Sequence, residues 1–294
     1  MSSESEIKIT ESPRDAMQGM TAFIPTEKKA AYINALLQAG FDTIDFGSFV
    51  SPKVIPQMAD TAEVLARLNF SSSSTQLMAL AASARGIEKA ASHEAISKIS
   101  FPFSASPEFL KLNTGLSIDE ALDCIDAGME LCDKTRKEFV VYLTMAFGNP
   151  YEDKWDPDLI CEQVFQLQRM GIRSIPLSDI TGEADEQKIH DVYSLLMQEF
   201  EKCEFGLHLH SDAQTWRTKL DAAWACGCRS FDTVLGGFGG CPMTGKELMG
   251  NLNTLDLLGF CKEKNAASGI NLDSLAQAVE TGKLIFDTYN KTQE

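Results

Sequence analysis

Histidine is scarce in this sequence of 294 residues: it occurs four times, at positions 93, 190, 208 and 210. No apolar run approaches the roughly 20 residues of a membrane span. Residues 1–6 are polar and acidic, and this is not the pattern of a signal peptide. Basic residues are also few, 26 against 42 acidic ones, and the net charge of −16 would repel nucleic acid and anionic membranes alike. We therefore expect a cytoplasmic protein with neither nucleic acid nor a membrane as partner.

Two sequence patterns are missing as well. The eight cysteines are scattered and form no C-x-x-C pair, so we expect reduced core thiols rather than disulfides. No G-x-G-x-x-G motif follows the first apolar segment, where Glu11-Ser12-Pro13-Arg14-Asp15 stands instead. This argues against a doubly wound dinucleotide-binding fold.

Short apolar segments alternate with helical patterns along the whole chain. Strands are predicted over residues 7–10, 43–46, 76–80, 95–101, 139–143, 173–177, 204–210 and 231–235. The pattern ends with an amphipathic helix over residues 272–289. Eight strands, each followed by a helix, predict a single TIM (β/α)8 barrel domain over residues 1–294, with one additional C-terminal helix.

Chemically capable side chains collect where the predicted strands end, which is where this fold places its active sites. In chain order these are Arg14 and Asp15, Asp45 and Ser48, Asp179, His208 and His210, and a glycine-rich loop that leads to Cys241. The placement played no part in assigning the strands, so it supports the barrel independently.

His208 and His210 are two residues apart on one strand, so both imidazoles project from the same face. Two buried, hydrogen-bonded histidines would show the same spacing. The position at a barrel mouth favours metal ligands, because Asp15 follows the first strand, which adjoins the eighth when a barrel closes. With Asn251 as a candidate amide ligand, the set of nitrogen and oxygen atoms suits Mg²⁺ or Mn²⁺, and Zn²⁺ or Co²⁺ are compatible.

The loop over residues 236–242 has four glycines in five positions, followed by Cys241 and Pro242. Such a loop can approach a ligand closely or act as a lid that carries a thiol. The alternative is a flexible barrel connection with an incidental cysteine.

Five motifs together resemble the 3-hydroxy-3-methylglutaryl-CoA lyase family, within the metal-dependent TIM-barrel lyases and synthases. They are the runs S-P-R-D-A-M-Q at 12–18, S-F-V-S-P-K at 48–53, G-N-P-Y-E at 148–152, H-L-H at 208–210, and G-G-C-P at 239–242 with G-N-L at 250–252. They span nearly the whole chain in the family's order.

The resemblance implies a role for each residue that matches these motifs. Asp15, His208, His210 and Asn251 would hold the divalent ion, and Asp15 or His208 would take the hydroxyl proton of a 3-hydroxyacyl-CoA substrate. Arg14 would neutralise the enolate oxygen, and Cys241 would supply a proton to the carbanion. The remaining candidates are Asp45 and Asp179 for catalysis, and Gln18, Ser48 and Lys53 for substrate binding. A homodimer is implied too.

Four positions depart from the family's pattern: Ser211 for an aspartate, Asp45 for a glutamate, Ser83 for an asparagine and Pro176 for a serine. Two alternatives to the lyase of this family therefore stay open. One is a related lyase or synthase acting on another acyl-CoA or a 2-hydroxy acid, and the other is a non-catalytic acyl-CoA-binding barrel.

Overall fold

The computed structural model describes residues 6–71, 73–240 and 249–289, and it contains a closed barrel of eight parallel strands in the order β1 to β8. The strands are β1 (Lys8–Glu11), β2 (Thr43–Ser48), β3 (Gln76–Leu80), β4 (Lys98–Ser104), β5 (Glu138–Thr144), β6 (Leu177–Asp179), β7 (Leu207–Leu209) and β8 (Ser230–Thr233). Closure occurs between β1 and β8, where Ile9 lies opposite Phe231. The predicted TIM barrel is therefore confirmed.

Helices surround the barrel. They are α1 (Pro13–Gln18), α2 (Thr26–Ala39), α3 (Thr61–Leu65), α4 (Ala84–Ala91), α5 (Pro107–Thr114), α6 (Ile118–Thr135), α7 (Pro157–Arg169), α8 (Glu186–Glu199), α9 (Trp216–Ala225), α10 (Thr254–Glu263) and α11 (Leu272–Tyr289). Short 3₁₀ turns lie at Pro56–Met58 and Leu235–Gly237. The additional C-terminal helix, α11, has the predicted bounds and packs on α2 through an edge-to-face contact between Phe286 and Tyr32, with ring centroids 5.7 Å apart.

Several predicted boundaries were wrong. The α1 helix was not predicted, and it can begin at Pro13 because proline fits the first helical position and has no amide to leave unpaired. The α5 helix was not predicted, although Ser106 caps it by accepting a hydrogen bond from the amide of Phe109. The β6 strand begins at Leu177, after Pro176, rather than at residue 173, since proline cannot donate to a strand ladder.

Alternation along β7 shows how the barrel separates apolar from polar side chains. Leu207 and Leu209 face the helices and are buried, whereas His208 between them faces the lumen. Ser178 and Asp232 lie opposite His208 on the two neighbouring strands. The lumen therefore carries polar side chains at the level of the metal ligands predicted on β7.

Among the described residues, none of the helices is both long enough and apolar enough to span a bilayer.

Candidate metal centre and active-site cavity

Three buried side chains converge at the carboxyl-terminal mouth of the barrel: Asp15 on α1, His208 on β7 and His210 just beyond it. The Nε2 atoms of the two histidines are 3.1 Å apart, and Nε2 of His210 is 3.8 Å from Oδ2 of Asp15. One ligand atom from each of the three residues lies within 4.8 Å of the others. The arrangement can hold one metal ion.

The chain path explains why these residues meet. The α1 helix begins two residues after β1 ends, so Asp15 stays directly above the barrel mouth. The amide of Ser12 donates to the carbonyl of Thr233, which holds this connection against the end of β8. His210 forms an isolated antiparallel bridge with Asn251. Strand pairing thus positions the three ligand candidates from both sides of the barrel closure.

Each imidazole is oriented by an oxygen on its far side. Nδ1 of His208 lies 3.1 Å from Oδ2 of Asp232, and Nδ1 of His210 lies 3.1 Å from the carbonyl oxygen of Ile180. When both imidazoles are neutral and their Nδ1 atoms donate, both Nε2 atoms carry a lone pair, and these two atoms lie 3.1 Å apart. A shared proton or a bound cation satisfies this pair of nitrogens, so the donor set fits a divalent metal.

The protonation states of Asp15 and His210 also suit metal binding. Burial, reinforced by the neighbouring His208, lowers the pKa of His210 to about 4, so its imidazole is neutral near pH 7. Burial opposes ionisation of Asp15, but Arg14 and the two histidines outweigh it and lower the pKa of that carboxyl. The cluster therefore presents a carboxylate and a neutral imidazole, which are the forms that bind metals.

Arg14 is clamped by acidic and amide side chains. Its Nε and Nη2 donate to Oδ2 of Asp45 at 2.9 and 2.5 Å, and its Nη1 donates to Asp15 and Gln18 at 3.1 and 2.9 Å. Burial disfavours the guanidinium charge, yet Asp45 and Asp15 more than compensate and raise the pKa of Arg14. Burial raises the pKa of Asp45, an effect that Arg14 offsets only in part.

Asn251 contacts the cluster through its amide nitrogen. Nδ2 donates to Oδ2 of Asp15 at 2.8 Å and to the carbonyl of Phe238 at 2.9 Å. Metal ligation by Asn251 needs its Oδ1 to face the ion, and it stays a prediction.

The cluster opens into a cavity of about 190 Å³ that Arg14, Gln18 and the two histidines line together with apolar side chains. The apolar residues include Val50, Val54, Ile55, Leu80, Pro102 and Phe109.

Other predicted site residues lie outside the cavity lining. The hydroxyl of Ser48 donates to the carbonyl of Leu80, and Lys53 is exposed in the loop that follows β2. The carboxylate of Asp179 accepts from Lys219 at 3.1 Å, in a buried ion pair directed at α9. Asp45 contacts the cavity only through Arg14. Cys241 lies outside the described residues.

Two polar residues that matter to the site were not singled out from the sequence. Asp232 orients His208, and the hydroxyl of Tyr142 donates to the same Oδ2 of Asp232 at 2.7 Å. An aspartate inside the apolar run of residues 231–235 was the available signal. Its partner could not be read from that run, because His208 is 24 residues away along the chain.

Comparison with known proteins finds hydroxymethylglutaryl-CoA lyases among the relatives of this chain. The family model HMGL-like matches residues 6–281. The mitochondrial hydroxymethylglutaryl-CoA lyase of Macaca fascicularis is 31% identical over 287 residues, covering 97% of this chain and 86% of that protein.

Solved structures agree. An HMG-CoA lyase from Acinetobacter baumannii, in complex with coenzyme A and 3-methylmalate, is 29% identical with a TM-score of 0.87, over 96% of this chain and 92% of that one. A hydroxymethylglutaryl-CoA lyase from Pseudomonas aeruginosa is 27% identical with a TM-score of 0.88, over 99% and 96%.

Proposed function

The chain belongs to the HMGL-like family and is a carbon–carbon lyase, and on this premise we propose that it cleaves 3-hydroxy-3-methylglutaryl-CoA to acetyl-CoA and acetoacetate with a divalent metal ion. The observation that carries the proposal is the convergence of Asp15, His208 and His210 on one face of a cavity at the barrel mouth. The relative with coenzyme A bound supports a thioester substrate.

The residues divide the chemistry between them. Asp15, His208 and His210 would hold Mg²⁺ or Mn²⁺, which when bound acts as a Lewis acid on the substrate oxygens. Asp15 or His208 accepts the proton of the substrate hydroxyl.

Arg14 is suited to the departing enolate. Four of the five N–H groups of a guanidinium are engaged by Asp45, Asp15 and Gln18, which leaves one N–H on Nη2 for a substrate oxygen. A fixed cation with one free donor stabilises a single developing negative charge without reorganisation. Cys241 is the proposed proton donor to the carbanion, on sequence grounds alone.

The proposal includes a single catalytic domain over residues 1–294, assembly as a homodimer and a cytoplasmic location. Asn251 remains the proposed fourth protein ligand, and Gln18 remains a substrate-binding candidate that lines the cavity. For Ser48, Lys53 and Asp179 the proposal is indirect, because their side chains lie outside the cavity lining.

The test is a turnover assay on protein stripped of metal with a chelator and reloaded with Mg²⁺ or Mn²⁺. We expect acetoacetate and acetyl-CoA in equal amounts, loss of activity on chelation and recovery on reloading. His210→Ala should lower kcat/KM about 10³-fold, the equivalent of about 4 kcal/mol of lost transition-state stabilisation. Metal content should fall in parallel.

Absence of acetoacetate from the metal-loaded protein would refute this substrate. Cleavage of another 3-hydroxyacyl-CoA in the same assay would then favour a related lyase. Tight binding of the thioester without turnover of any substrate would favour a non-catalytic acyl-CoA-binding barrel.

A further inference from the structure

Phe238, in the glycine-rich loop that follows β8, is held by the C-terminal helix. Its ring stacks on the ring of Phe286 of α11, with centroids 4.3 Å apart and an angle of 25° between the planes. Phe286 is buried, and it also makes the edge-to-face contact with Tyr32 of α2. Phe286 therefore offers Phe238 an aromatic surface whose position is fixed by the packing of α11 on α2.

The loop backbone leaves space for the ring of Phe238. A Cβ atom on Gly236 would lie 2.5 Å from Cε2 of Phe238, closer than a side chain can approach, so glycine is needed where the ring lies. Gly236 also has a φ of +82°, which glycine adopts without strain. Residues of two elements, the loop and α11, thus agree on the position of this ring.

The backbone next to this ring contacts the candidate metal centre. The carbonyl of Phe238 accepts from Nδ2 of Asn251 at 2.9 Å, and the same Nδ2 donates to Oδ2 of Asp15 at 2.8 Å. A Cβ atom on Gly239 would lie 2.8 Å from the carbonyl oxygen of Asp15 and 2.9 Å from Nδ2 of Asn251. Two hydrogen bonds and direct backbone packing therefore connect the stacked ring to a carboxylate of the metal centre.

Asn251 depends on this loop for its orientation. Its backbone amide donates to the carbonyl of Gly237 at 3.1 Å, and its side-chain amide is directed by the carbonyl of Phe238. Groups that orient metal ligands from behind typically change metal affinity about 10-fold to 100-fold when they are removed. Phe286 lies one contact further from the ion, so we expect its effect to be smaller.

Resting on the proposed function, we propose that Phe286 is a positioning residue for the metal-dependent reaction. By stacking on Phe238, it fixes the loop backbone that orients Asn251 and Asp15, and it thereby raises the affinity of the barrel mouth for a divalent ion. The additional C-terminal helix α11 is then part of the support of the metal centre, although it contributes no metal ligand.

The experiment measures Mn²⁺ affinity by calorimetry in wild type, Phe286→Leu, Phe238→Leu and the double variant. Leucine keeps an apolar side chain and removes the stack. We expect each single substitution to lower the affinity about 3-fold to 10-fold. The double variant should bind no more weakly than the weaker single variant, because two residues that act through one contact are not additive. An effect of the double variant equal to the product of the single effects would overturn the proposal.

Two further variants separate positioning from general packing. Phe238→Tyr keeps the ring at a partly exposed position, so its affinity should stay within about 2-fold of wild type. Phe205→Leu is the matched control, because Phe205 is a buried aromatic residue that precedes β7 and contacts Phe200, with ring centroids 6.4 Å apart.

Phe205→Leu should lower the temperature of thermal unfolding and leave Mn²⁺ affinity within about 2-fold of wild type. A loss of affinity in Phe205→Leu as large as that in Phe286→Leu would overturn the proposal. So would an affinity of Phe238→Tyr as low as that of Phe238→Leu.

Hydrogen exchange gives a readout that needs neither metal nor turnover. In the metal-free protein, the backbone amide of Asn251 should exchange about 5-fold faster in Phe286→Leu than in wild type or in Phe205→Leu, because its acceptor, Gly237, adjoins the stacked residue. Equal exchange in Phe286→Leu and wild type would contradict the positioning role.

The binding data also separate this inference from the proposed function. Weaker Mn²⁺ binding in Phe286→Leu and Phe238→Leu supports the positioning role even if wild type does not cleave the thioester. Turnover by wild type together with unchanged Mn²⁺ affinity in both variants refutes the positioning role and leaves the lyase activity standing. A wild type that binds no divalent ion would overturn both.

Discussion

Two buried carboxylates at the carboxyl-terminal ends of strands, Asp15 after β1 and Asp179 at the end of β6, have different roles although the residues are similar. Asp179 accepts from Lys219 and from the amide of Ala184, so a cation and a helix connection satisfy it. Asp15 lies instead beside the Nε2 atoms of His208 and His210, and the three side chains can share one ion. Burial and charge at a strand end therefore do not by themselves identify a metal or catalytic group. A metal site is identified by several ligand atoms that lie close to one another.

Glu11, like Asp179, is a buried carboxylate with a structural role. It is fully buried at the end of β1 and accepts from the hydroxyls of Thr233 and Thr254 and from the amide of Leu235. Burial raises its pKa to about 7, although these hydrogen bonds oppose the shift. Its contacts join β1, β8 and α10, so it fastens the barrel closure rather than the cavity.

The largest effect should come from breaking the structural ion pair. Lys219→Met leaves the carboxyl of Asp179 buried without its cation, and burial already raises the pKa of that carboxyl. We expect a loss of about 3 to 5 kcal/mol in the free energy of unfolding, measured by urea denaturation. Metal affinity of the folded variant, measured by calorimetry, should stay within about 2-fold of wild type, since Lys219 does not touch the metal centre.

Lys264→Met is the control for this change, because Lys264 pairs with Asp221 in a partly exposed ion pair at 2.7 Å. Such pairs contribute about 1 kcal/mol or less. If Lys219→Met cost no more than Lys264→Met, or removed the metal, the division between structural and metal-binding carboxylates would be wrong.

The next largest expected effect is a pH dependence of the free energy of unfolding that is caused by Glu11. The folded protein keeps the proton of this carboxyl up to about pH 7, whereas the unfolded chain loses it near the ordinary value of 4.5. The contribution to stability is therefore complete below pH 4.5 and is lost as pH rises through 7, by up to about 3 kcal/mol. Glu11→Gln, which cannot ionise, should lack this component.

Urea denaturation of wild type and Glu11→Gln from pH 5 to pH 8 measures this component as the difference between their free energies of unfolding. That difference should shift in favour of Glu11→Gln as pH rises. A difference that does not vary with pH would show that Glu11 keeps an ordinary pKa in the fold.

Asp232→Asn should have a smaller effect, which we expect on metal affinity rather than on stability. The substitution replaces the carboxylate that accepts from His208, so the imidazole loses the partner that directs its Nε2 lone pair to the ion. Metal affinity should fall about 10-fold to 100-fold with little change in stability, as measured by calorimetry with Mn²⁺. Asp221→Asn, at an exposed carboxylate on α9, should leave metal affinity unchanged. Equal metal affinity in Asp232→Asn and wild type would contradict the orienting role.

Local patterns in the sequence were enough for much of the fold. Ser117 and Glu120 have the spacing of a capping box in the sequence, and the box is present at the start of α6, because its two hydrogen bonds join residues three apart. The sequence indicates Thr26 as the cap of α2, but in the structure Thr26 is the first helical residue, and its hydroxyl donates to Asp60 rather than to its own helix. That bond joins residues 34 positions apart, so no local pattern could reveal it.

The same limit applies to the candidate site. The sequence by itself determined that His208 and His210 share a face, because a pleated strand repeats every two residues. It also indicated that Asp15 lies near a strand end.

Only the tertiary structure decided that Asp15 meets the histidines, that Asp232 orients one of them and that Asp179 turns away to Lys219. The reason is physical: these contacts depend on barrel closure between β1 and β8, whose partners Ile9 and Phe231 come from opposite ends of the chain. Side-chain direction over such distances is set by packing of the whole barrel, whereas strand alternation is set within a few residues.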